Sequence, residues 1–290
     1  KRPPGSGDRW RKRVLILASI VLAFFVLGHL GVRFVLWPQI EKSKPTLERL
    51  MSSRLGANVT IDAVQVSWTG IRPSFAIQGL RFNNPNSSTP PLFIQDISGQ
   101  LSWLSFYHLA PYFHEITLDQ VQLYAQRDVK GVVSIGGIPI HNNADHFATE
   151  NWLFAQNDIH VNNAKIFWED QQSRKLKTSI DIQSLQLSNG IRSHEGQLVA
   201  QTPWSSNPIK LQVDFVHHLT GQAGDWRDWV GSFSWDFAEL NLGQISKDLS
   251  LPLYDLAGKL NSKGSVKLDG GRANGGQMSL TADHLRVQLN

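Results

Sequence analysis

The sequence predicts a mainly β fold behind one N-terminal membrane helix and one short amphipathic helix. Three observations predict it. An uncharged apolar run, Val14 to Gly28, directly follows a basic N-terminus. An apolar period close to that of a helix then recurs at Leu47, Leu50, Met51 and Leu55. From Asn58 onward the period falls to two, the period of a strand with one buried face.

The first element extends from the apolar run through His29 and Arg33 to Trp37. A helix over residues 14–37 is roughly 36 Å long at about 1.5 Å per residue, enough to cross a hydrocarbon core of about 30 Å with some tilt. Arg33, one turn from the far end, is placed to snorkel to the headgroups, and Trp37 to sit at the interface. Lys1, Arg2, Arg9, Arg11, Lys12 and Arg13 precede the run against one acid, Asp8. By the positive-inside rule residues 1–13 are a cytoplasmic tail, with Arg11, Lys12 and Arg13 at the membrane surface, and the bulk of the chain is exported. No small-residue cleavage site follows Gly28, so the segment reads as an anchor and not as a removable signal peptide.

The charge count bears on partners. The whole chain carries +4. Six basic residues and one acid in residues 1–13 more than account for it, leaving about −1 on the remainder. A nucleic-acid surface needs a basic patch, and none is present beyond the anchor. The chain has no cysteine. This excludes disulfides, cysteine nucleophiles and thiolate metal sites, and is compatible with an oxidising compartment.

Residues 38–56 form the second element. Ser43 is placed to cap the helix, Pro45 fits its first turn and Gly56 ends it. Residues 57–290 are the third. Ile209, Leu211, Val213 and Phe215 alternate with Lys210, Gln212, Asp214 and Val216. Elsewhere the phase slips. Leu176, Thr178, Ile180 and Ile182 give way to Leu185 and Leu187, and Met278, Leu280 and Ala282 to Leu285, Val287 and Leu289. A one-residue slip inside a strand pattern predicts a bulge or a break. Turns at Asn83-Asn84-Pro85-Asn86, Asn189-Gly190 and Asp269-Gly270-Gly271 predict a meander. Short helices are expected within residues 145–156 and 239–249. The strand pattern at Ser279 to Leu289 stops without a terminal cap, which predicts an open edge and a sheet continuing beyond residue 290.

Alternating strands make a sheet with one apolar face that needs a cover. Helices are too few to supply it. Either a second sheet closes a sandwich, or the sheet curls around an apolar trough. Periodicity does not choose between them.

No constellation points to catalysis or to a metal. His217 and His218 face opposite sides of a strand, His194-Glu195 lacks the second histidine of a zinc helix, and His141 and His146 lie five apart in a polar stretch. Glu169-Asp170 and Asp225/Asp228 read as turn acids. The Gly270–Gly276 region lacks the Gly-Lys-Ser/Thr ending of a P-loop and reads as a hairpin turn. The expectation is no enzyme, no cofactor and no metal. Eight tryptophans follow the anchor (Trp68, Trp103, Trp152, Trp168, Trp204, Trp226, Trp229 and Trp235), either lining a lipid or glycan surface or closing the ends of an imperfect core.

The order of motifs carries a resemblance. Anchor and short helix are followed by Leu55-Gly-Ala-Asn-Val-Thr-Ile61, then by Val66-Ser-Trp68-Thr-Gly70-Ile-Arg-Pro73-Ser-Phe75. Leu118 to Gly131, Asn151-Trp152-Leu153 with Gln156 and Ile159, Ile166-Phe-Trp168-Glu-Asp170, Leu187 to Gly196, and Leu268-Asp-Gly-Gly271 with Leu280-Thr-Ala-Asp283 complete the series. It resembles the AsmA-like superfamily, most closely the membrane-proximal segment of its YhdP branch, across about residues 10–290. Gly131-Val-Val stands where relatives often carry a Gly-Arg-Trp-like turn.

The resemblance implies a curled, largely antiparallel β-sheet forming an open apolar groove. It implies an inner-membrane protein of a Gram-negative envelope that carries phospholipid across the periplasm toward the outer membrane. The related TamB branch supplies the alternative, a scaffold for outer-membrane biogenesis that binds client envelope proteins. The expected groove-lining residues are Ile209, Leu211, Val213, Phe215, Val266, Leu268, Met278, Leu280, Val287 and Leu289.

Overall fold

A computed structural model describes residues 6–55, 57–84, 89–108, 110–139, 148–172, 176–248 and 255–288. His141 and His146 lie outside them.

The anchor is one nearly unbroken helix. Helix α1 (Ser6–Gly31) passes through a π-helical turn (Val32–Leu36) into α2 (Trp37–Lys42). The stretch Arg13–Val35 is long and apolar enough to cross a membrane. The helix does not end at Trp37, and Trp37 is not an interfacial aromatic facing lipid. It is only 4 % exposed. Its indole N–H is shared between the carbonyls of Ser67 and Ser74, at 2.9 and 3.2 Å. Arg33 also turns toward protein, its guanidinium lying 5.4 Å from the centre of the Trp68 ring. Both placements have one cause. The helix continues into α2, so its last turns run beside the sheet, where protein carbonyls and rings meet these two side chains.

Helix α3 (Lys44–Leu55) follows. Leu47 and Met51 pack against the core, while Leu50 faces solvent. Ser43 does not cap through its side chain. Its hydroxyl donates to the carbonyl of Gln39, and its own carbonyl accepts from the amides of Thr46 and Leu47. The polar face of α3 has another use. Ser52 Oγ accepts from the Val59 amide and Glu48 Oε1 from the Ile61 amide, both at 2.9 Å. These amides belong to the first edge of the sheet, so α3 occupies donors that would otherwise recruit another strand.

The strands are β1 (Asn58–Thr60), β2 (Ala63–Thr69), β3 (Arg72–Asn83), β4 (Leu92–Leu101), β5 (Phe113–Arg127), β6 (Val133–Ile135), β7 (Ile138–Pro139), β8 (Asp158–Asp170), β9 (Leu176–Asn189), β10 (Ser193–Gln201), β11 (Ile209–Val216), β12 (Val230–Asn241), β13 (Asp255–Asp269) and β14 (Arg272–Gln288). All belong to one 14-stranded sheet in the order β1-β3-β4-β5-β8-β9-β10-β11-β12-β13-β14. Strand β2 also pairs with β3, and β6 and β7 form a small hairpin beside β5. The path does not close on itself. Among the described residues there is no second sheet, so a two-sheet sandwich does not form.

One strand pair departs from the antiparallel pattern among the described residues. Strands β5 and β8 run parallel, from Glu115↔Asp158 to Arg127↔Asp170. The crossover between them carries β6, β7 and helix α5 (Ala148–Phe154). An ion pair locks the end of this parallel pair. Arg127 donates to both carboxylate oxygens of Asp170, which is buried, and Nε lies 3.0 Å from Oδ1. The carboxylate also accepts from the Gln172 amide at 2.9 Å. Its hydrogen bonds hold the Arg127 guanidinium above its usual range. Asp170 is therefore no ordinary turn acid. Helices α4 (Leu104–His108) and α6 (Leu242–Asp248) are short elements between strands.

The densest core lies at the anchor end, where Val59, Ile61, Leu80, Phe82, Ile94 and Ile97 cluster beneath Leu47 and Met51. Beyond it the sheet runs on with little on top.

Candidate functional site

Directly paired residues of neighbouring strands share a face. The registers therefore trace rows across the sheet. One row runs Ile159–Leu187–Gly196–Val213–Phe233–Val266. The next runs Val161–Leu185–Leu198–Leu211–Trp235–Gly264–Met278. A third joins Ala164, Ile182, Ala200 and Ile209. The opposite face of the same strands carries Asp158, His160, Gln186, Ser188, Glu195, Gln197, Gln212, Asp214, Ser232 and Ser234. One face is apolar from strand to strand and the other polar.

The phase slips explain how the apolar face stays continuous. Gly79 in β3, Gln120 in β5, Asn163 in β8, Glu239 in β12 and His284 in β14 all have φ between 51° and 63°. A residue in this left-handed region absorbs one step of the alternation. Ile116 and Leu118 therefore share a face with Val121 and Leu123 across Gln120. Ile159 and Val161 share it with Ala164 and Ile166 across Asn163, and Met278 and Leu280 with Leu285 across His284. Such backbone costs on the order of 1–3 kcal/mol per non-glycine residue. Side chains offset it locally. Asp119 Oδ1 accepts from the Gln120 amide at 3.0 Å and from Asn163 Nδ2 at 2.9 Å. Asn261 Oδ1 accepts from the Glu239 amide at 2.8 Å. On β3, β5 and β8 the slips lie on one line, because Leu80 pairs with Ile94, Ile94 with Val121, and Asp119 with Asn162.

Those expected groove residues whose side chains the structure describes sit on this face, with one distinction. Ile209, Leu211, Val213, Val266 and Leu268 are half-buried there. Met278 and Leu280 are exposed at 59 % and 54 %. The Val287 side chain, the Lys12 side chain and Leu289 lie outside the described residues. Arg11 and Arg13 are exposed on α1. Phe215 does not line open space. It is 1 % exposed, stacked 3.8 Å from Trp229 and 4.8 Å from His194, with Phe154 of α5 edge-on at 5.5 Å. This aromatic plug closes the β10–β12 end of the face. Gly231, the cross-strand partner of Phe215, permits the close approach, since a Cβ there would fall 2.6 Å from Phe215 Cα.

Sequence reasoning missed the plug, because Phe154, His194, Phe215 and Trp229 come from four separate segments. It also left Leu198, Phe233 and Trp235 off the face, although their alternation was visible. The tryptophans divide between the apolar face and the ends of the packed regions. Trp168 and Trp235 lie on the apolar face, Trp229 closes it, and Trp68 and Trp103 pack around the end of the anchor with Trp37.

His194 is the one strongly perturbed titratable group here. Burial, then the neighbouring His217 ring, push it down to about 4. Nδ1 meets Asn189 Oδ1 at 2.8 Å, which makes the Nδ1–H tautomer the neutral form. Nε2 is buried without a hydrogen-bond partner. Because the folded value lies below the unfolded one of about 6.5, the unfolded chain binds the extra proton between them. The stability contribution is whole above about pH 6.5 and is lost as pH falls toward 4. Urea unfolding at pH 7.5 and pH 5 checks this: the wild-type midpoint should fall, and that of His194→Phe should fall less.

No three His, Asp or Glu side chains converge on a metal site among the described residues. No curated protein matches the chain significantly. A family model, that of the YhdP protein, matches residues 8–290. Anchor helix, open sheet and match extend over nearly the whole sequence together, and the chain belongs to the YhdP family.

Proposed function

We propose that the apolar face is a lipid-conducting surface, and that the chain is an inner-membrane-anchored, non-enzymatic protein that guides phospholipid from the inner membrane toward the outer membrane of a Gram-negative envelope. The carrying observation is an apolar face that continues strand after strand beyond the core under α3, with no second sheet over it among the described residues. Each acyl methylene kept from water is worth about 0.8 kcal/mol, so a bare lipid chain between membranes needs such a wall. The wall needs no specific polar site. The six basic residues ahead of the anchor support a cytoplasmic N-terminus and a periplasmic sheet.

The test is a photo-crosslinking residue at position 211, compared with position 212 on the polar face. In cells, position 211 should capture phospholipid and position 212 should not. Leu211→Asp should fold and yet block lipid passage, because a hydrated carboxylate interrupts the apolar track. If position 211 captures only protein and Leu211→Asp abolishes folding, the conduit reading fails. Capture of a periplasmic client protein there would favour an assembly scaffold instead.

A further inference from the structure

The last turns of the membrane helix touch the sheet at an unexpected depth. Trp103, in the β4–β5 loop, lies 6.2 Å from Phe25 and 5.6 Å from His29, ring centre to ring centre. Trp68, one residue before the end of β2, lies 5.0 Å from His29. Phe25 is ten residues, or about 15 Å of helix, inside the far end of the apolar stretch Arg13–Val35. If these loops stood clear of the bilayer, only Arg13 to Phe24 would remain to cross it. That is about 18 Å of helix against a hydrocarbon core of about 30 Å. The contact at Phe25 must therefore lie within the membrane.

The loop is built for that environment. Residues 102–112 contain no Asp, Glu, Lys or Arg and include Trp103, Phe106, Tyr107 and Tyr112. The base of the loop is hydrogen-bonded within itself. Ser105 Oγ donates to the Tyr112 carbonyl at 2.7 Å and accepts from the Tyr112 amide at 2.9 Å, and the Ser102 amide donates to the same carbonyl at 2.8 Å. Its apolar groups are turned outward. Tyr107 is 82 % exposed, and Leu104 and, on the adjacent β2–β3 turn, Ile71 are also exposed. Beside a membrane helix they form an aromatic-rich interfacial seat.

We propose that the β4–β5 loop and the β2–β3 turn insert into the bilayer leaflet around the exit of the anchor helix, with Leu104, Tyr107 and Ile71 in contact with lipid. The proposal rests on the reading of Arg13–Val35 as a membrane span. The rim of the sheet beside the anchor then sits in the leaflet.

The chain has no cysteine, so single-cysteine variants report one position each. Tyr107→Cys, Val129→Cys on the opposite rim of the sheet, and Ile20→Cys in α1 would be labelled with an environment-sensitive fluorophore. The full chain would be reconstituted in phosphatidylethanolamine/phosphatidylglycerol vesicles containing lipids with nitroxide-labelled acyl chains. The label at position 107 should be quenched by the nitroxide lipid severalfold more than that at 129, and protected from aqueous iodide as the label at 20 is. Lipid quenching at 20 with iodide quenching at both 107 and 129 overturns the seat and leaves the anchor standing. Iodide quenching at 20 as well overturns the anchor and the seat with it.

Discussion

Replacing Trp37 with Ala is expected to destabilise the junction of anchor and sheet by about 3–5 kcal/mol, the usual cost of removing a large buried aromatic side chain. The ring is nearly inaccessible, and its N–H satisfies two carbonyls from different strands of the first hairpin. Its loss leaves a cavity beside Trp68, 6.2 Å away between ring centres. Urea unfolding of the detergent-solubilised chain measures the loss. Trp37→Phe separates the contributions: it keeps most of the packing and removes only the donor, for which a cost of about 0.5–1.5 kcal/mol is expected. A variant Trp37→Ala with an unchanged midpoint would mean that the helix is not docked by this residue.

Phe215→Ala is the second large effect, again about 3–5 kcal/mol. The two positions Phe215 and Leu211 stand on the same strand and the same face, four residues apart. Phe215 is enclosed by Trp229, His194 and Phe154. Leu211 is half-buried, beside Leu198 and Trp235 in the neighbouring strands. Unfolding should therefore respond sharply to Phe215→Ala and only slightly to Leu211→Ala, where a solvent-accessible gap replaces the missing methyl groups. Equal responses would show that protein covers the face uniformly, and would remove the basis for a conduit.

Much of this fold was legible before any coordinates. The long apolar N-terminal helix followed from run length. The helices at residues 148–154 and 242–248 fell within their expected segments. The alternation of Ile209, Leu211, Val213 and Phe215 marked one face of a strand. The phase slips after Ile182 and Ala282 were visible as bulges. What was not legible was long-range. Phe215 and Leu211 look identical in a periodicity argument, yet one is a plug and the other a wall, because Trp229 and Phe154 approach from distant segments. Asp170 reads as a turn acid until Arg127 is brought beside it by a parallel pairing that no local pattern announces.

Periodicity is a property of neighbouring residues, so the sequence by itself determined the apolar N-terminal helix, the strand content and the two-sided character of each strand. It did not determine whether those faces met in one sheet or two, because strand pairing depends on register between segments far apart in the chain. The tertiary structure decided that all strands join one open sheet. It also decided that the left-handed residues from Gly79 to His284 keep the slipped half-strands on a single face. A bulge reverses the facing of everything beyond it, so only its position relative to bulges in neighbouring strands tells whether an apolar surface is interrupted or, as here, continuous.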